Sequence, residues 1–173
     1  MKKLFLALWP EDKIRKKIAT LNQSITSDQL QKYKPENLHV TLAFLGNVSN
    51  EVEQIVRQGT NEIIAEPVSI VFDQLTLWPK GGILCLTSAR QPQSLLDLVN
   101  AINNILHEAG VRIDSRPYVA HVTLGRRTQL KPTIPVEPIL WNSTSFVLVE
   151  SVSVDDGVEY QVLQRWPLIK TVK

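Results

Sequence analysis

The stretches NLHVTLAFLG (residues 37–46) and YVAHVTLGRR (residues 118–127) carry the same tetrapeptide, His-Val-Thr-Leu. Two of the chain's three histidines, His39 and His121, lie inside it, and the third is His107. The two copies stand 82 positions apart in a chain of 173 residues, close to half its length. The stretches leading into them are also repeated. LFLALWP, a helical stretch and HVTL span residues 4–42, whereas ILCLTSARQP, a helical stretch and HVTL span 83–124. The pattern predicts an α+β chain of two strand–helix–strand units related by a pseudo-twofold axis, folded as a single domain over residues 1–173.

Working outward, Leu4–Trp9 reads as a strand, and Pro10 suits the first turn of a helix running from about Glu11 to Ser24. Leu38–Leu45 reads as a strand stopped by Gly46. The next helix opens at Ser49 or Asn50, with Glu53 placed to complete a capping box with Asn50. Val68–Trp78 and Ile83–Thr87 are β-rich and joined by the turn signal PKGG. After Pro92 the spacing of Leu95, Leu98, Val99, Ile102, Ile105 and Leu106 predicts a helix ending before Gly110. Tyr118–Leu124 reads as a strand and KPTIPVEPIL as a connection. Phe146–Val154 and Tyr160–Trp166 read as a hairpin turning at Asp155-Asp156-Gly157.

Composition narrows the class. Apolar content of 43% and charged content of 21% are those of a globular protein. A net charge of +2 permits an anionic partner without demanding one. The single cysteine, Cys85, forms no intrachain disulfide and reads as a small buried hydrophobe in GILCLTS. The opening MKKLFLALWPEDK imitates a signal peptide, but its apolar run is short and meets Pro10-Glu11-Asp12 without a small-residue cleavage site. No stretch approaches the roughly 20 apolar residues of a membrane span. A cytoplasmic monomer is the expectation, with no membrane contact.

Side chains alternate along a strand, so residues i and i+2 share a face, about 6.6 Å apart. His39 and Thr41 therefore face one way, and Val40, Leu42 and Phe44 the other; His121 and Thr123 repeat this against Val122 and Leu124. A pseudo-twofold brings the two His–Thr pairs to one cleft. Imidazole, with an ordinary pKa near 6.5, serves as base or acid at neutral pH. In-line displacement at a phosphodiester needs one of each, with hydroxyls and a fixed cation to hold the non-bridging oxygens. Zinc is the other use of paired histidines, but no third ligand stands at a recognisable spacing. No metal and no cofactor are expected. His107, near the end of its helix, reads as a surface residue.

These motifs, with LFLALWP, PENLHVTLAFLGNVS, SRPYVAHVTLGRR and GVEYQVLQRWPL, resemble the two-histidine phosphoesterases over nearly the whole chain, specifically the bacterial and archaeal RNA 2′,3′-cyclic phosphodiesterases, also called 2′-5′ RNA ligases. The resemblance implies two lobes, each an antiparallel sheet backed by helices, facing one another across a central cleft. It implies opening of an RNA terminal 2′,3′-cyclic phosphate to a 2′-phosphomonoester, and in some members joining or cleavage of 2′-5′ linkages in tRNA halves. By motif position it makes His39 and His121 the catalytic pair; the resemblance favours His121 as base and His39 as acid, an order that the sequence alone leaves open. Thr41 and Thr123 hold the phosphate, and Arg126 is the phosphate-binding arginine. Where that family often has Pro before the second histidine, this chain has Val119-Ala120. Regular alternation from His121 would put Arg127, not Arg126, on the histidine face; a bulge or a strand end at Gly125 would reconcile that with the motif.

Phe5 and Tyr118 are candidates for stacking on a terminal base, or else core residues. Arg116, with Lys32, Lys34 and Arg165, is a candidate for a basic rim. Trp78, Trp141 and Trp166 read as core or lobe-interface residues. The partners implied are RNA 3′ ends, tRNA halves or small cyclic nucleotides. The alternatives are a phosphodiesterase of small cyclic nucleotides or 2′-5′ oligonucleotides, and a non-catalytic RNA- or nucleotide-binding module.

Overall fold

A computed structural model describes residues 1–129 and 131–170. The chain starts with β1 (Lys2–Leu8), whose buried Leu4, Leu6 and Leu8 alternate with Phe5 and Ala7 on the opposite face. Helix α1 (Asp12–Ser24) follows Pro10 and buries Ile18 and Asn22. A two-residue strand, β2 (Gln31–Lys32), and a 3₁₀ turn at Pro35–Asn37 lead into β3 (Val40–Val48). Helix α2 (Asn50–Asn61) is capped by Ser49, whose side chain accepts from the Val52 N–H at 3.3 Å. Glu53 does not complete a capping box. It is buried instead between Lys2 and Arg57, to which it forms ion pairs of 3.0 and 2.7 Å.

Strands β4 (Val68–Phe72), β5 (Gln74–Trp78) and β6 (Ile83–Thr87) precede α3 (Gln93–Glu108). Five apolar side chains at helical spacing bury the inner face of α3, Leu95, Leu98, Val99, Ile102 and Leu106, each contributing about 1.5–3 kcal/mol. Gly110, at φ +71°, ends it in a backbone region open to glycine. The chain closes with β7 (His121–Arg126), β8 (Ile139–Ser143), β9 (Ser145–Val154) and β10 (Gly157–Pro167). No helix among the described residues is long and apolar enough to cross a membrane.

Eight strands form one antiparallel sheet in the order β10-β9-β1-β3-β7-β6-β5, with β2 also paired to β7; β4 and β8 form a separate two-stranded sheet. The pseudo-twofold passes between β3 and β7, since β1 flanks β3 as β6 flanks β7, and β9 flanks β1 as β5 flanks β6. Strands β3 and β7 pair at one position, Val40↔Val122, and β2 adds Gln31↔Arg126 and Lys32↔Gly125 further along β7. This is a junction between two lobes rather than a continuous ladder. The helices cross it. Asn22 at the end of α1 donates from Nδ2 to the Leu124 carbonyl of β7 at 2.9 Å, while α3 packs against β3 and α2.

The main core lies on the helix side of the sheet, where Val40, Leu42, Val122 and Leu124 of the duplicated motifs are all buried. A small second cluster of Phe5, Ala7, Val147 and Val149, with Trp9 and Tyr160 packed on it, covers the opposite face of the first lobe.

Three strand readings change. β3 does not stop at Gly46 but runs through it to Val48, the glycine taking φ +72°. Val68–Trp78 is two strands of different sheets, broken at Asp73. The Pro-rich connection ends in β8, whose Ile139 and Trp141 are buried against β4. Two prolines just upstream masked that strand, because Pro supplies no N–H to a ladder.

Candidate active site

Both HVTL copies carry the same irregularity. In β3, Thr41 pairs with Ala7 and Ala43 with Leu6, leaving Leu42 as an extra residue. In β7, Thr123 pairs with Cys85 and Gly125 with Leu84, leaving Leu124 as an extra residue. Such a bulge shifts the alternation by one position, so every residue beyond it changes face. Gly125 thus sits on the core side and Arg126 returns to the histidine side, as the bulge reading required. Arg127 lies past the strand end at φ +64°. In β3 the shift has a consequence that strict alternation missed. Phe44 leaves the apolar row of Val40 and Leu42, stands over Phe5 at 6.0 Å between ring centroids, and is 65% exposed. Phe44 and Arg126 occupy equivalent places in the two lobes.

The imidazoles are held alike. His39 Nδ1–H donates to the Asn37 carbonyl at 2.7 Å, and His121 Nδ1–H donates to the Val119 carbonyl at 2.8 Å. A carbonyl only accepts, so in each neutral ring the proton is on Nδ1 and Nε2 carries the lone pair. Asn37 also ties the first motif to β10, donating from Nδ2 to the Val158 carbonyl at 3.0 Å. Gln91, just before α3, accepts from the Ala120 N–H at 2.8 Å. In an antiparallel register centred on Val40↔Val122, each strand's histidine lies across from the other's threonine.

Their surroundings differ. His39 is enclosed by Phe5, Trp9 and Tyr160 at centroid distances of 4.9, 5.8 and 5.1 Å. Its Nε2 accepts from the Thr41 hydroxyl at 3.0 Å. Burial lowers its pKa to about 4; the bond to Asn37 opposes this, and the nearby His121 adds to it. His121 meets the edge of Trp78 at 4.5 Å, and its Nε2 makes no hydrogen bond to the described residues. Its pKa is also lowered, first by burial and further by Arg116, against the bond to Val119. Thr123 lies against the Cys85 thiol, which burial pushes up to about 12, so that the sulfur remains a protonated, inert neighbour.

The remaining sequence candidates separate. Phe5 is 3% exposed beneath His39, so it offers no face for a base to stack on and acts as the wall of the imidazole. Tyr118 packs its ring against the main core and donates its hydroxyl to the Thr41 carbonyl at 2.8 Å, a strap between lobes rather than a stacking platform. Arg116 is exposed and paired with Asp114, yet acts electrostatically on His121. Lys32 donates to the Gln23 carbonyl and Arg165 to the Ser145 hydroxyl. Sequence reading missed Trp9, Tyr160 and the place of Trp78 at His121. Trp9 was within reach of it, because residues 5, 7 and 9 share a face on β1 and its continuation. Among the described residues no group of three His, Cys, Asp or Glu converges as metal ligands would.

Two imidazoles, each oriented through Nδ1 and each beside a threonine, thus stand at the meeting of two duplicated α+β units. The family model of the 2′-5′ RNA ligase superfamily matches residues 10–155, and the chain belongs to that superfamily. It is 30% identical over 135 residues to the RNA 2′,3′-cyclic phosphodiesterase of Escherichia coli, covering 77% of each chain. To the Archaeoglobus fulgidus protein of the same name it is 28% identical over 147 residues, covering 83% of each. The crystal structure of E. coli LigT complexed with 3′-AMP superposes with a TM-score of 0.88 at 25% identity, over 98% of this chain and 99% of the other.

Proposed function

We propose that the chain hydrolyses a 2′,3′-cyclic phosphate at an RNA end to a 2′-phosphomonoester, without a metal, using His121 as base and His39 as acid. The observation that carries this is the pair of Nε2 atoms, both deprotonated in the neutral rings by their Nδ1–H bonds, on strands joined at Val40↔Val122. The names of the relatives supply the substrate class.

His121 Nε2, unoccupied by the described residues, takes a proton from water as the water oxygen attacks phosphorus. The P–O3′ bond breaks, and His39, entering the step as the imidazolium with a proton on each nitrogen, gives its Nε2 proton to O3′. One water is consumed, and the second step of proton exchange restores both rings. Burial disfavours the His39 charge in the free chain, where the pKa is about 4, and the phosphate anion beside Nε2 favours it in the complex; once charged, an imidazole of low pKa is a strong acid. Thr41, Thr123 and Arg126 hold the non-bridging oxygens.

The test is hydrolysis in EDTA of an RNA ending in a 2′,3′-cyclic phosphate and of 2′,3′-cyclic mononucleotides, with the product's phosphate position read by NMR. A 2′-phosphate formed in chelator is expected. A 3′-phosphate, or loss of activity with EDTA, refutes the mechanism. Binding of the RNA without turnover identifies a non-catalytic module. Formation of a 2′-5′ linkage between supplied tRNA halves would add ligation to the activity.

A further inference from the structure

Each imidazole is held by one peptide unit, and the two lobes secure that unit differently. His39 Nδ1–H donates to the carbonyl of the Asn37–Leu38 peptide at 2.7 Å. The N–H of the same peptide donates to the Pro35 carbonyl at 3.2 Å, within the 3₁₀ turn. His121 Nδ1–H donates to the carbonyl of the Val119–Ala120 peptide at 2.8 Å. There the N–H is taken by a side chain, Gln91 Oε1, also at 2.8 Å. Ala120 is fully buried, so this N–H has no recourse to water, and proline at 120 could not make the bond.

The other end of the same carboxamide is engaged too, for Nε2 donates to the Ser88 carbonyl at 3.2 Å. A backbone N–H only donates and a carbonyl only accepts, so the carboxamide has a single orientation. The β6–β7 ladder stops at Thr87↔His121, and its next rung would join Ser88 to Ala120. β6 turns away at Ser88 toward α3, and the Gln91 carboxamide stands in for the missing peptide group. Its loop is tied down as well: Ser88 Oγ donates to the Arg90 carbonyl at 2.7 Å, and the Ala89 N–H to Asp73 Oδ1 at 3.0 Å. The first lobe has no such loop. Leu8 and Leu86 each pair with the Val of a motif, and from there the chain reaches Pro10 in two residues but Pro92 in six.

We infer that Gln91 is a positioning residue for His121: through the Val119–Ala120 peptide it fixes the carbonyl that holds the Nδ1 proton, and so keeps Nε2 open to accept one. The inference rests on the proposed reaction, in which His121 Nε2 takes the proton of water. A base oriented by a third group is the usual support of such chemistry, and here the third group acts across a peptide plane. Bonded groups in a chain polarise one another, so an N–H already engaged makes the carbonyl of its own peptide a better acceptor. The Val119 bond also opposes the effect of burial on the His121 charge. Without the Gln91 acceptor the peptide turns to find another partner for its N–H, and the Nδ1 bond weakens. The ring then carries its proton on Nε2 part of the time, a form that cannot take one from water.

The experiment reads the His121 tautomer from its imidazole nitrogen resonances, above its titration, with kcat and KM for a 2′,3′-cyclic mononucleotide measured alongside. It compares the wild-type chain with Gln91→Met, Gln91→Asn and Gln91→Glu. Met keeps the length and removes both bonds, Asn is too short to bridge the rung, and Glu keeps an oxygen for the Ala120 N–H. Arg116, ahead of β7, and His39, on β3, are the charged or titratable groups that act on His121, and none of the variants changes them. Wild-type protein should show the Nδ1–H form alone. Gln91→Met and Gln91→Asn should show both forms, a His121 titration moved to lower pH, and kcat about two- to tenfold lower at unchanged KM, the range of one neutral hydrogen bond. Gln91→Glu should keep the Nδ1–H form and a kcat close to wild type. A wild-type tautomer and kcat in Gln91→Met overturn the inference, as does the same result in Gln91→Asn where Met does not fold; a lowered Tm alone then marks Gln91 as a loop anchor. Equal losses in Gln91→Glu and Gln91→Met overturn it too, because the acceptor oxygen would not be what matters. Absence of hydrolysis by the wild-type chain refutes the proposed reaction instead, and the resonances, read on the resting protein, still decide whether Gln91 sets the tautomer.

Discussion

His39 sits in an enclosure of three aromatic rings with its Nε2 already held by Thr41, whereas His121 meets one ring edge and keeps its Nε2 unengaged by the described residues. The backbone beneath them is the same: an Nδ1 bond to the carbonyl two residues back, then a Thr and a bulge at the next Leu. The difference teaches that the repeated motif sets where the rings stand, while residues outside it, Trp9, Tyr160 and Trp78, set what each ring does. The sheet extends the contrast, since β10, which brings Tyr160, has no counterpart at the other edge.

The largest effect comes from removing the rings. His121→Gln and His39→Gln should each lower kcat by about 10²–10⁴-fold, the range of a positioned acid or base. Residual turnover then separates their roles. A base acts deprotonated, so His121→Gln should remove the acid-side limb of the bell-shaped profile. An acid acts protonated, so His39→Gln should remove the alkaline limb. The reverse pattern exchanges the two assignments, and retained limbs in both variants break the pairing altogether.

The same asymmetry governs stability against pH. His39 titrates at about 4 in the folded chain against an ordinary 6.5, so between those values the unfolded chain binds more protons. Stability is therefore full above pH 6.5 and falls as pH drops toward 4, by at most roughly 3 kcal/mol from this group. Urea denaturation at pH 7.5 and 4.5 should show the loss. His39→Gln should flatten it more than His121→Gln does, and equal slopes in the two variants would contradict the difference in enclosure.

Much of this frame was readable from the residues. The alternation of His and Thr against Val and Leu, together with the half-chain spacing, gave the two facing strands and the pseudo-twofold. It failed where a strand departs from period two. One extra residue at Leu42 and at Leu124 moved Phe44 and Arg126 across the sheet, and only the second was anticipated, because a motif and an alternation rule disagreed there. Phe5 and Tyr118 were ambiguous for another reason. An aromatic next to a motif has the same sequence signature whether it is a ring wall, a strap or a platform, and the contacts that decide come from β10 and β3, far away in the chain.

The bulges can be tested at the residue directly after each of them, Gly125 in β7 and Ala43 in β3. A Cβ on Gly125 would lie 2.7 Å from the Gln31 carbonyl oxygen and 2.7 Å from Leu30 Cδ1, both part of the segment that pairs with β7. Gly125→Ala should cost about 1–3 kcal/mol and disturb the aim of Arg126, raising KM for a cyclic phosphate. Ala43→Gly, the equivalent position in the first lobe, should cost only about 0.5–1 kcal/mol, through strand entropy, without changing KM. A similar KM change in both would mean that the cation's placement does not depend on the second bulge.

The smallest effect concerns two side-chain bonds that cross between lobes. Asn22, in the first half, reaches the carbonyl of Leu124; Tyr118, in the second, reaches that of Thr41. Asn22 is buried at 4% exposure, so Asn22→Ala leaves both a cavity and an unmet acceptor site. Tyr118→Phe removes one hydroxyl from a half-buried ring that stays packed, at a cost of about 1 kcal/mol. For a chain of this size that is a fall of about 2–4 °C in Tm. Because the lost bond ends on the strand that carries His39 and Thr41, kcat should fall a few-fold at unchanged KM, as the spacing of the two imidazoles loosens. An unchanged kcat with a lowered Tm would make Tyr118 a strap for stability alone, and the registration of the two half-sites would then rest on Val40↔Val122 and the helices that cross above it.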